Sequence, residues 1–198
     1  SLGRADAKTA PPPPHWTEVA PLANARADHT TTALLDYTTL AVGGGETASG
    51  PGIASCELWD PNTRTWSPAA PLARARFAHT ATRLADGRVI VIGGLESFGS
   101  PFPTEVEIYD PTVKRWSLAA PIPVPRAFHA AVLLQDGRVL VAGGDAPGAG
   151  DTATAYIYNP ATNSWSPAGS MSVAREPGRF GAIVLPDGDV LVVGGYLV

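Results

Sequence analysis

The sequence predicts an all-β chain built from repeated four-stranded antiparallel units. Two observations carry that prediction. Short β-prone runs recur at a spacing near 50 residues, each copy holding the same markers in the same register. Between the runs stand turn-forming residues at fixed places, with Asp-Gly foremost. Composition agrees: 20 Pro and 21 Gly against 16% charged residues suit many short strands and many turns.

In chain order, residues 1–14 come first, ending in the proline run Pro11 to Pro14. This segment reads as a stiff tail or tether, polyproline II where the prolines run. The repeats occupy residues 15–198. Tryptophans stand at Trp16, Trp66, Trp116 and Trp165, spaced 50, 50 and 49. Glycine pairs begin at Gly43, Gly93, Gly143 and Gly194, spaced 50, 50 and 51. Trp59-Asp60-Pro61, Tyr109-Asp110-Pro111 and Tyr158-Asn159-Pro160 form a third series. Arg26-x-x-His29, Arg76-x-x-His79 and Arg126-x-x-His129 form a fourth.

One unit reads as strands a, b, c and d. Strand a follows the Arg-x-x-His, as in Phe128 to Leu134; strand b is the apolar run before the glycines. Strand c carries Cys56 to Trp59, Val106 to Tyr109 and Ala155 to Tyr158, and strand d begins at each tryptophan. The a–b turns contain Asp86-Gly87, Asp136-Gly137 and Asp187-Gly188, expected as tight hairpins with positive φ at both residues. Links within a unit are short, so each should be an antiparallel meander. A single meander leaves apolar faces bare; stacking copies buries them, and closing the stack in a ring protects the edges. The glycine pairs are expected to allow close backbone approach. The periodic aromatics are expected to fill space between sheets.

Together these markers resemble the kelch repeat, in the form found in bacterial kelch proteins and the propeller of galactose-oxidase-like proteins. The resemblance covers about residues 15 to 195. It implies a β-propeller of four-stranded antiparallel kelch blades, with strand a innermost. The count is about four blades: three complete, and one split between a leading strand d at Trp16 and trailing strands a and b. Such propellers usually have six or seven blades. Three arrangements follow: a fragment of a longer propeller, a small closed ring, or two copies that together complete a larger ring. Fragment or assembly is favoured, because open ends leave unpaired edges.

Several function classes drop out. The net charge of −4 offers no basic field for nucleic acid, and no apolar run reaches the roughly 20 residues of a membrane span. A single cysteine, Cys56, gives neither a disulfide framework nor a cysteine metal cluster. There is no Gly-x-Ser-x-Gly, phosphate loop or His-Glu-x-x-His, so no enzyme is expected, and no cofactor. Cys56 sits where other copies carry Val106 and Ala155, the place of a packed thiol. With no initiator Met and no signal-type start, the chain reads as a processed, excised or trimmed piece. Its compartment is open, with a lean from the resemblance and the proline-rich lead toward a secreted bacterial protein.

Candidate binding residues fall in two sets. Arg26, Arg76 and Arg126, with His29, His79 and His129, would recur around the channel mouth. Guanidinium groups there would suit a carboxylate or phosphate, and histidines a metal. Residues present once per repeat more often build the repeat. The fourth copy departs, with Phe180 at the histidine place and Arg175 and Arg179 offset, which argues against a symmetric metal ring. The second set lies in the variable b–c loops: Glu46, Glu96, Phe98, Phe102, Asp145 and Asp151. Asp145 and Asp151 lack the dense oxygen spacing of a Ca²⁺ loop. The expected function is a non-catalytic scaffold that binds a protein or glycan through loops or channel mouth. The alternatives are a self-assembling partial or engineered propeller module with no ligand, a homodimer completing the larger ring, and an accessory fragment of a galactose-oxidase-like carbohydrate oxidase.

Overall fold

A computed structural model describes residues 17–47, 50–148, 150–175 and 180–195. Trp16, the proline-rich lead, Arg179 and Tyr196 to Val198 lie outside them, and with them the expected leading strand d and any closing strand c.

The described residues form strands and no helix. The first blade is β1 (Thr30–Ala33), β2 (Thr39–Val42), β3 (Cys56–Asp60) and β4 (Thr65–Ala69), paired antiparallel in that order. The second is β5 (Thr80–Arg83), β6 (Val89–Ile92), β7 (Val106–Asp110) and β8 (Arg115–Ala119). In the third, β9 (Ala130–Leu133) and β10 (Val139–Ala142) precede a small hairpin, β11 (Asp145–Ala146) with β12 (Gly150–Asp151). It is completed by β13 (Thr154–Asn159) and β14 (Ser164–Ser170). A half-blade, β15 (Phe180–Val184) with β16 (Val190–Gly194), ends the chain. The expected a-b-c-d meander is therefore the fold, with the extra hairpin in the third b–c loop unforeseen.

In the second blade strand b is apolar throughout and covered on both faces. On β6, Val89 and Val91 turn to the first blade, joining Leu40, Val42, Cys56 and Tyr109 in one core. Ile90 and Ile92 turn the other way and join Ile108, Val139, Val141 and Tyr158. Each such aliphatic side chain contributes about 1.5–3 kcal/mol on burial. Strand d has one packed side only: each tryptophan is half-buried on it, joined by Ala69 in the first blade and Ala119 in the second. Trp116 and Trp165 donate their ring N–H to Ala70 and Ala120, on the connector leaving the preceding blade.

The innermost strands stack β1 on β5, β5 on β9 and β9 on β15, so the first blade and the half-blade stand at the two ends of an arc. The outer side of the half-blade exposes Ile183, Leu191 and Val193. At the other end, Trp59 and Trp66 lie against each other, centroids 5.5 Å apart.

The turns correct one expectation. Each Asp-Gly belongs to a three-residue loop, not a two-residue one, and its Gly is left-handed (Gly87 φ 90°, Gly137 φ 84°) while its Asp is not. The Asp carboxylate instead accepts the N–H two residues on, as Asp86 does from Arg88. In the first blade Tyr37 takes the glycine place at φ 68°.

The glycine pairs do what spacing suggested. Gly94 donates its N–H to the Arg126 carbonyl at 2.9 Å, as Gly44 does to Arg76. A Cβ on Gly93 would stand 2.1 Å from that Arg126 oxygen, at φ +65°. By contrast a Cβ on Gly137, φ +84°, would meet nothing within 4 Å. Gly137→Ala should cost the left-handed penalty alone, about 1–2 kcal/mol. Gly93→Ala adds the displacement of the third blade and should cost roughly 3 kcal/mol or more. Urea denaturation of the two variants checks the difference; equal losses would refute the close-approach account.

Candidate functional site

The channel end of each blade is set by a segment in left-handed backbone. Asp28, Ala78 and Phe128 have φ of 50°, 54° and 54°. Phe128 N–H donates to Ala78 C=O, and Ala78 N–H to Asp28 C=O, so a chain of backbone hydrogen bonds runs from blade to blade. The next residue is the histidine. His79 Nε2 shares a 2.9 Å hydrogen bond with Thr30 Oγ1 of the first blade. His129 Nε2 does the same with Thr80 Oγ1 at 2.8 Å. Gly43 and Gly93 leave the space these rings enter: a Cβ there would lie 3.0 Å and 2.8 Å from the respective Cε1.

Burial, with the nearby guanidinium groups in support, pushes the pKa of both His79 and His129 down to about 3. They are neutral rings at ordinary pH and exert no pull on anions. With Asp28, His29, Phe128 and Phe180 they line an open hollow of about 200 Å³. Among the described residues no three His, Cys, Asp or Glu side chains stand close enough to share one ion.

The arginines point into the blades. Arg76 Nη1 donates to the Gly93 and Glu105 carbonyls, both at 3.0 Å, bridging the gap where strands b and c separate at the glycine pair. Its Nη2 pairs with Glu107 at 2.9 Å, and Glu107 also accepts from Ala73 N–H. Arg26 repeats this with Gly43, Ser55 and Glu57. Arg126 bridges Gly143 and Thr154 but meets no acid; Tyr156 holds the Glu place, its ring centroid 5.4 Å from the guanidinium carbon. Arg76 and Arg126 are wholly buried. Burial lowers the pKa of both, opposed at Arg76 by Glu107 and Glu105 and at Arg126 by Tyr156. In the fourth copy Arg175 is the counterpart, donating to Gly194 C=O, with two extra residues before Phe180. The partners Glu57 and Glu107 escaped the sequence reading, although they keep the same spacing of 50.

The loop candidates separate. Phe98 is 57% exposed and packs on Phe77 with centroids 5.1 Å apart and the rings tilted by 58°; Phe77 meets Phe128 edge-on at 6.4 Å. Phe102 packs beneath on the same small core of Phe77, Ala78, Leu95 and Ala127. Glu96 pairs with Arg74, which also reaches Glu105, each at 3.3 Å. Glu46 is exposed. Asp145 and Asp151 face each other across the small hairpin, and partial burial followed by Asp151 raises the Asp145 pKa. Phe77, Phe128 and Arg74 were overlooked, though the two aromatics sit inside the Arg-x-x-His motif itself. Cys56 is buried, burial pushes its thiol up to about 11, and it donates to Ala54 C=O.

The histidine seams make folding acid-sensitive. The folded pKa, about 3, lies below the unfolded value near 6.5. Their contribution is full above pH 6.5 and falls as pH drops toward 3, at about 1.4 kcal/mol per pH unit for each ring. Thr80→Ala with His129→Phe copies the Ala130–Phe180 arrangement of the next seam. Urea titrations between pH 6 and 4 should find the pH slope reduced by about that amount; an unchanged slope would place the proton uptake elsewhere. The ion pairs give a second expectation. Glu107→Ala strands a buried charge and should cost about 3–5 kcal/mol. Tyr156→Phe keeps the aromatic face under Arg126 and should cost less than about 1 kcal/mol by the same denaturation assay.

Comparison with known proteins places this arrangement. The model of the KLHDC2/KLHL20/DRC7 kelch-repeats domain matches residues 14–196. No curated protein matches the chain in sequence. Among solved structures, that of YjhT superposes with a TM-score of 0.76 at 18% identity, covering 91% of this chain. The chain spans 63% of the length of that structure. With blade order, glycine seams and family profile in agreement, the chain belongs to the kelch-repeat family and is an all-β kelch propeller domain.

Proposed function

We propose that this domain is a non-catalytic scaffold that binds a protein ligand on the face carrying the b–c loops and the d–a connectors. The observation that carries the reading is Phe98, 57% exposed yet packed at 5.1 Å on the buried Phe77. A large apolar ring held out from a fixed seat loses little entropy on binding. Arg74 beside it, 36% exposed at its side chain, keeps two carboxylates, Glu96 and Glu105, in reach. An aromatic flanked by Arg is the composition that concentrates binding energy at protein interfaces. The kelch family is generally one of protein-interaction scaffolds, which supports the same reading. Asp145 and Asp151 flank this face from the third blade. Arg26, Arg76, Arg126, His79 and His129 serve it from below, fixing the blades that hold the loops.

The experiment is selection of a displayed random-peptide library on the 198-residue chain, with a glycan array in parallel. Enriched peptides should lose at least tenfold in affinity on Phe98→Ala and be insensitive to Tyr37→Ala, which lies at the opposite end of the blades. Peptides that depend on Tyr37 and ignore Phe98, or binding confined to glycans, would overturn the proposal.

A further inference from the structure

Each seam joins one wedge residue to the first residue of strand a in the blade before. At the first seam His79 meets Thr30, and at the second His129 meets Thr80. At the third the wedge is Phe180, whose ring lies 2.8 Å from where a Gly143 Cβ would be, and the opening residue of β9 is Ala130. Within this chain the hydroxyl is present where the wedge has a ring nitrogen to use it, and absent where the wedge is a hydrocarbon. The physical reason is general: a buried polar edge without a partner loses more than it gains.

This pairing makes the two ends of the arc legible. The face of the first blade left open by the described residues carries His29 and the Trp59–Trp66 pair. The second blade grips the first with the same set, His79 and Tyr109–Trp116. His29 therefore calls for a neighbour whose strand a opens on a hydroxyl. At the other end the register is unambiguous: Thr30 pairs Val42, Thr80 pairs Ile92, Ala130 pairs Ala142 and Gly181 pairs Val193. The half-blade offers glycine at the place where His29 needs a hydroxyl.

We propose that the open face of the first blade is the docking site of a further kelch blade whose strand a opens on threonine, and that neither this half-blade nor that of a second copy is its proper partner. The established seams specify the rest of that blade. It presents a carbonyl to the Asp28 N–H, as Asp28 does to Ala78. It also presents a glycine pair whose second N–H reaches the Arg26 carbonyl, as Gly44 reaches Arg76.

The half-blade can be converted into the missing partner by one substitution. A Cβ on Gly181 would meet nothing within 4 Å, and its backbone is ordinary strand, so Gly181→Thr fits without strain. Sedimentation equilibrium of the 198-residue chain then decides. Gly181→Thr should strengthen head-to-tail association at least tenfold over the unsubstituted chain. Adding His29→Ala should return it to the starting level, while His29→Ala alone changes nothing. The proposal is overturned if the unsubstituted chain already associates through His29, if Gly181→Thr is no stronger, or if its gain survives His29→Ala.

Discussion

The fold depends on one close approach: the backbone of the Arg76 and Arg126 segments lies against the glycine pair of the blade before. No side chain fits between Gly93 and the Arg126 carbonyl, and only glycine holds the backbone there at φ +65° and +99°. From that contact the rest follows. Strand b must end, strands b and c must part, and the gap exposes carbonyls that the wholly buried Arg76 closes from inside its own blade. The histidine ring enters where the glycine lacks a Cβ, and the two apolar cores align on either side of β6.

The seams share a plan and differ in polarity along the chain. In the first two blades the buried guanidinium has an acid, Glu57 or Glu107; in the third it has an aromatic face, Tyr156. The wedge changes from His79 and His129 to Phe180, and the hydroxyl of Thr30 and Thr80 to Ala130. These exchanges are compensated in pairs. Removing Glu107 alone strands a charge, whereas exchanging wedge and acceptor together leaves no threonine hydroxyl facing a hydrocarbon ring. Repeat identity is thus held by satisfaction of partners and not by the residue type at any one place.

Much of this was legible in the sequence, because periods of 50 residues put equivalent positions in equivalent roles. Strands, blades and glycine contacts follow from local pattern. The role of Arg76 does not: it depends on Glu107, 31 residues on, which no local pattern links to it. The Asp-Gly turns were misjudged because the sequence does not separate a two-residue loop from a three-residue one in which only glycine is left-handed. Phe98 looked like one loop residue among several. Its distinction is the tilted contact with Phe77, created when the b–c loop folds back over the connector. The hairpin of β11 and β12 arises in a Gly- and Ala-rich segment with little strand preference of its own.

Because every described seam joins blades adjacent in sequence, partners such as Thr30 and His79 are 49 residues apart and never the length of the chain. During synthesis, a blade leaving the ribosome finds its docking surface already made by the blade before it. Assembly thus proceeds as a zipper, with nearest-neighbour terms alone deciding each step. A lesion at one seam would halt the zipper there and leave the earlier blades standing, so truncated and full-length chains share the same well-formed amino-terminal half.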